Sequence, residues 1–194
     1  MPYYVRIIGG ALRGRRLRVL TEPPELRPIA DRAREALFNI LRRWDTDRLF
    51  VDVFAGSGSV GIEALSRGAK HAAFVERHPR LVALLEEQLR QLGLAERASV
   101  LRADAYRWAE RWSPPDEAVN VFLGPPYADF VRRSEALHQM IRTLQQKLPP
   151  DSVLIVQTDT VYPADQLPGS PHWEVRRYGR TQLCLWHKKQ DGSA

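Results

Sequence analysis

The chain has 194 residues, 44% hydrophobic and 27% charged, which is enough for one sizeable α/β domain with an appendage but not for a second large core. No apolar run approaches a membrane-spanning length, the start MPYYVRIIGG has no signal-peptide pattern, and the single cysteine, Cys184, excludes a disulfide framework. Lys and Arg total 29 against 23 Asp and Glu, a net charge of +6 that biases the partners toward polyanions, because Arg pairs bidentately with phosphate and stacks on bases.

No Cys/His cluster has metal-ligand spacing, so no metal is expected, and a cytoplasmic protein is the simplest expectation. Residues 1–20 carry Arg6, Arg13, Arg15, Arg16 and Arg18 with no acidic residue, and Arg176, Arg177 and Arg180 form a second basic cluster. In YYVRIIGGALRGRRLRVL, Leu17 and Val19 alternate with Arg16 and Arg18, which predicts two short strands around a Gly-rich, Arg-rich connection. After the Pro-rich link TEPPELRP, Asp31 is placed to cap a helix whose apolar stripe is Ala33, Leu37, Ile40, Leu41 and Trp44. Residues 1–25 are read as a basic hairpin extension and 26–190 as the main domain.

Strand and helix patterns then alternate: RLFVDVF, a helix over about 59–67, HAAFVE, and a helix carrying Leu81, Leu85, Leu89 and Leu92 closed by Gly93. ASVLRA, a short helix with Tyr106, Trp108 and Trp112, AVNVFLG, and a helix with Leu137, Met140, Ile141, Leu144 and Leu148 follow. Short apolar strands joined by amphipathic helices predict a mostly parallel sheet covered on both faces. SVLIVQTD adds a buried strand, and Tyr-Gly-Arg between two alternating runs in HWEVRRYGRTQLCLWHKK predicts a closing antiparallel hairpin.

Four stations on these elements carry chemistry. Gly56, Gly58 and Gly61 form G-x-G-x-x-G between a strand and a helix, where the backbone turns tightly and the helix N-terminus faces a ligand. Asp52, four residues before the first glycine, opposes a pyrophosphate but can hold a cationic amine or order the turn. Glu76, at the end of HAAFVE, can accept both hydroxyls of a ribose or be a surface carboxylate at a strand end. Asp104 can accept an adenine amino group, cap the helix from Ala105, or do both. The fourth station is Gly124-Pro125-Pro126-Tyr127 at the carboxyl end of the fourth strand, the edge at which open α/β sheets collect ligands.

Together these residues resemble a class I S-adenosylmethionine-dependent methyltransferase of Rossmann-like fold. RIIGGALRGRRL, LRPIADRAREALFNIL, DVFAGSGSVGIEALSRGA, VERHP and the Pro-Pro-Tyr loop narrow the likeness to the RsmD family, which methylates the exocyclic N2 amine of a guanine in bacterial 16S ribosomal RNA. The resemblance implies a mostly parallel seven-stranded sheet with a C-terminal antiparallel hairpin, plus a small N-terminal hairpin and helix. It implies S-adenosylmethionine as cofactor, with Asp52, Phe54, Ala55, Gly56, Ser57 and Gly58 cradling the methionine part. Glu76 with Arg77 would take the ribose, and Asp104 with Ala105 the adenine. The implied partner is 16S ribosomal RNA or the small ribosomal subunit, met by a monomer with no membrane and no metal. Arg13, Arg15, Arg16, Arg27, Arg32 and Arg34 are the candidate RNA contacts; for each singly, a solvated charge or a helix ion pair such as Asp31 to Arg34 explains it as well.

The chain departs from the family pattern twice. Ile29 and Ala30 stand where the family has two hydroxyl residues, and Gly124 stands where its fourth motif begins with Asp or Asn. An exocyclic amine is a poor nucleophile until acceptors on its hydrogens stabilise the move toward tetrahedral nitrogen. In the resembled motif a carboxylate or amide side chain and a backbone carbonyl of the Pro-Pro step accept, while Tyr127 stacks on the flipped base. Without the side chain the cost is on the order of 3 kcal/mol, about a hundredfold in rate. Asp129 is a less favoured substitute acceptor, its more ordinary role being to start the next helix. Gly124 therefore motivates a second reading, a catalytically silent cofactor- and RNA-binding protein. An N6-adenine DNA methyltransferase shares the Pro-Pro-aromatic logic, but the chain is short of a target-recognition domain. A nicotinamide dehydrogenase has no place for Asp52 or the Pro-Pro-Tyr loop.

Overall fold

A computed structural model describes residues 3–20, 29–43 and 47–189. Arg27 and Trp44 lie outside these residues. The N-terminal pattern forms β1 (Tyr3–Arg6) and β2 (Arg16–Val19), paired antiparallel with Tyr3 opposite Val19. Next come α1 (Asp31–Leu41), β3 (Leu49–Val53), α2 (Ser59–Ser66), β4 (His71–Glu76) and α3 (Pro79–Gln91). These are followed by β5 (Ala98–Arg102), α4 (Ala105–Arg111), β6 (Val119–Leu123), α5 (Asp129–Arg132) and α6 (Ser134–Lys147). The chain closes with β7 (Val153–Asp159), β8 (Glu174–Tyr178) and β9 (Thr181–His187).

Seven strands form one sheet in the order β5-β4-β3-β6-β7-β9-β8, parallel except where β9 pairs antiparallel with β7 and β8. The chain leaves β3 first toward β4 and β5 and only later toward β6, so the strand order reverses between β3 and β6. That reversal opens a crevice at the carboxyl ends of these strands.

Alternate residues of each strand face opposite sides. Val51, Val53, Val121, Leu123, Leu154 and Val156 pack under α4 and α6, whereas Phe50, Phe122, Val153 and Ile155 pack with Leu37 and Phe38 of α1. Phe74 of β4 shares a third cluster with Ile62 and Leu65 of α2, Leu85 of α3, and Val5, Leu17 and Val19 of the hairpin. The hairpin thus has no core of its own. It is also pinned by fully buried Glu63 in α2, whose oxygens accept from the backbone N–H groups of Ile8 and Gly9, each at 2.8 Å.

Two expectations for α1 are corrected. Asp31 is the first residue of α1, not its cap: Ala30 holds the N-cap position without a side-chain bond, and the Asp31 carboxylate reaches Arg34 at 3.0 Å, one turn on. The stripe of α1 turns on Ala33, Leu37, Phe38 and Leu41. Asp129 starts the next helix as expected, a short α5 that precedes the long amphipathic α6.

Candidate active site

β3 delivers Asp52 and then a turn in which Phe54 has φ 65°, Gly56 φ 57° and Gly58 φ 72°. A left-handed phenylalanine is strained, and such strain persists where surrounding contacts hold a loop in one shape. Here the Phe54 ring meets the Tyr106 ring edge-on at 5.7 Å. Gly61 is required by close approach, since a Cβ there would lie 2.3 Å from Cε1 of Phe74. Helix and sheet can close together only because that atom is missing.

The turn is held by two carboxylates. Asp52, 2% exposed, accepts from the Gly61 N–H at 2.8 Å, tying the start of α2 to β3. Burial pushes its carboxyl up to about 8, with the Gly61 bond opposing and the charge of Glu76 adding. Glu76 is no surface carboxylate: it is 7% exposed, and its Oε2 accepts from Gly56 N–H at 2.9 Å and its Oε1 from His78 N–H at 2.8 Å. Asp104 caps α4, accepting from the N–H groups of Tyr106 and Arg107 at 3.1 and 3.2 Å.

One cleft is lined by Asp52, Phe54, Ala55, Gly56, Ser57, Glu76, Arg77, Asp104, Ala105, Gly124, Pro125, Pro126 and Tyr127. Gly58 lies under it, facing Leu85. Val19 of the hairpin and Ile29 supply apolar wall. Two buried carboxylates on the floor oppose a pyrophosphate and suit a ligand with cationic and hydroxyl groups, whose approach would draw the proton from Asp52. The donor set fits S-adenosylmethionine better than a dinucleotide.

At the loop, Gly124 N–H donates to the Val53 carbonyl at 3.1 Å. The Pro126 carbonyl is taken by Asp129 N–H at 2.9 Å, and no hydrogen bond to the Gly124 or Pro125 carbonyl occurs among the described residues. A Cβ on Gly124 would lie 3.1 Å from Cε1 of Phe122, and its φ is not in the left-handed region. The backbone conformation accordingly admits a side chain there once the buried Phe122 ring shifts by a few tenths of an ångström.

Among the basic residues, Arg13, Arg15, Arg16 and Arg32 are exposed. Arg34 is not, and its reading as an RNA contact is corrected. It is 0% exposed, donates to the Arg6 carbonyl and Asp31, and lies 3.7 Å from Glu63. The guanidinium joins the hairpin to α1 and α2 and is out of reach of a phosphate. Two cleft features escaped the sequence reading. Arg133 stacks 3.9 Å over the Tyr106 ring, whose hydroxyl donates to Asp129 at 2.6 Å; burial, then that bond, hold the hydroxyl above its usual range. Gln157, within β7, donates from Nε2 to the Tyr127 hydroxyl at 3.4 Å. Its available signal was its place as the first polar residue after the apolar run Val153 to Val156.

A mostly parallel seven-stranded sheet with an antiparallel end, a glycine turn after its first strand and a Pro-Pro-Tyr exit from its fourth define the class I methyltransferase fold. The family profile described as "Conserved hypothetical protein 95" matches residues 5–187. The Escherichia coli protein named "Ribosomal RNA small subunit methyltransferase D" is 33% identical over 196 residues, covering 98% of this chain and 93% of that protein. The Haemophilus influenzae protein of the same name is 35% identical over 156 residues, covering 80% and 79%. A solved structure of a Thermus thermophilus hypothetical protein superposes with TM-score 0.76 at 33% identity, covering 94% of this chain and 99% of that one. The chain belongs to this family, the RsmD family of S-adenosylmethionine-dependent methyltransferases.

Proposed function

We propose that this chain transfers a methyl group from S-adenosylmethionine to the exocyclic N2 amine of a guanine in 16S ribosomal RNA, free or within the small subunit. The observation that carries the reading is the meeting of four strand ends, with Asp52, Glu76, Asp104 and Pro125-Pro126-Tyr127, on one cleft. The bound cofactor supplies a methyl group already activated on a sulfonium. Asp52, Phe54, Ala55, Gly56, Ser57 and Gly58 hold its methionine part, Glu76 and Arg77 its ribose, and Asp104 and Ala105 its adenine. The Tyr127 ring stacks on the extruded base and fixes its plane, recovering part of the lost stacking. A backbone carbonyl of Gly124 or Pro125 accepts from one hydrogen of the reacting amine. Arg13, Arg15, Arg16 and Arg32 position the RNA through phosphates, with Arg27 added from the sequence alone.

Incubating the protein with methyl-labelled cofactor and either 16S RNA or small-subunit particles tests this. Label in RNA supports transfer; cofactor binding without incorporation refutes it. Gly124 favours a second reading, a catalytically silent assembly factor that binds cofactor and RNA, and that is the result such an outcome would leave.

A further inference from the structure

Beyond Leu123 and Val156, the last paired residues of β6 and β7, the two parallel strands run on to Gly124 and Gln157. Matched positions on neighbouring parallel strands project from the same face. Which face is settled by packing: Phe122, two residues before Gly124, and Ile155, two before Gln157, share the cluster under α1. Leu183, paired with Gln157 across β7 and β9, belongs to it too. A side chain at position 124 and that of Gln157 would stand side by side at the cleft. Gln157 lines the cleft with Gly124 and Tyr127 and is 8% exposed. Its Nε2 is turned to the Tyr127 hydroxyl, and no hydrogen bond to its Oε1 occurs among the described residues. Asp129 also lines the cleft, but its Oδ2 is taken by the Tyr106 hydroxyl at 2.6 Å.

We propose that the Gln157 side-chain carbonyl is the acceptor for the target's exocyclic amine that Gly124 does not supply. This rests on the base-methylation reading above. The amine lone pair forms the N–C bond as the C–S bond breaks with its pair staying on sulfur, which becomes a neutral thioether. The nitrogen, momentarily cationic, releases one proton to solvent. An amide oxygen is no base at neutral pH; it stabilises the polarised N–H as charge develops. The bond to Tyr127 fixes the amide so that Nε2 faces the stacking ring and Oε1 faces the base edge.

Two measurements test this. In single-turnover transfer to the RNA substrate, Gln157→Leu lowers the rate by about a hundredfold, with affinity for S-adenosylhomocysteine unchanged, and Gln157→Glu, which keeps an acceptor, retains most of the rate. In nucleoside titrations with S-adenosylhomocysteine present, the wild type binds guanosine about three- to tenfold more tightly than inosine, which lacks the amine. Gln157→Leu erases that preference and Gln157→Glu keeps it. A Gln157→Leu protein that transfers at the wild-type rate, or still prefers guanosine, overturns the proposal. If no RNA accepts methyl groups, the reading of the function fails, while the guanosine–inosine comparison still decides the role of Gln157. A group that only braces Tyr127 would not move that preference.

Discussion

Replacing Asp52 by Asn tests the electrostatics of the cleft floor without disturbing its shape, since the amide oxygen can still accept from Gly61 N–H. The carboxyl is raised from 3.8 to about 8, mainly by burial. Between those values the folded protein holds a proton that the unfolded chain has lost. A raised pKa of this kind contributes stability that is full below the unfolded value and is lost as pH climbs through the folded one. The slope is at most about 1.4 kcal/mol per pH unit, so the span of the shift amounts to about 6 kcal/mol. Urea unfolding of wild type and Asp52→Asn at pH 5 to 9 reads it directly. The difference wild type minus variant should fall steadily from pH 5 to about 8 and then level off. A difference that stays flat from pH 5 to 8 refutes the account of Asp52 as a buried, desolvated acid.

Three further outcomes are expected. Gly61→Ala forces a methyl group against Phe74 and should cost about 1–3 kcal/mol in urea unfolding; an unchanged midpoint would contradict the close helix–sheet approach. Gly124→Asp should fold normally, because only the Phe122 ring must give way. In a Gln157→Leu background, where no side-chain acceptor remains, it should raise methyl transfer at least about tenfold, and an unchanged rate there would count against the acceptor argument. Arg34→Met should alter stability while leaving the salt dependence of RNA binding untouched. Substituting Arg13, Arg15 and Arg16 together by Gln should reduce the slope of log affinity against log salt by about 2. Equal effects from the two changes would put Arg34 back on the RNA surface.

The sheet was readable because its strands are short apolar runs punctuated by amphipathic helices; HAAFVE begins and ends where β4 does. The glycine turn was readable because local backbone sterics dictate it: Gly56 and Gly58 take φ 57° and 72°, the left-handed region that favours glycine. What escaped is long-range. Arg34 sits among charged residues of a helix whose first turn looks solvated. Its burial follows from Glu63 and the Arg6 carbonyl, neither near it in sequence. Gln157 is 33 residues from Gly124 in the chain and becomes its neighbour only through the pairing of β6 with β7. Asp31 was misread as a cap because a one-residue shift of the helix start is invisible to a pattern of apolar positions.

The central claim is that the cleft methylates the N2 amine of a guanine, and nucleoside mass spectrometry of 16S RNA after reaction addresses it most directly. The protein, S-adenosylmethionine and unmodified small-subunit particles should yield N2-methylguanosine at a single position. N6-methyladenosine, or RNA with no added methyl group despite bound cofactor, would contradict it.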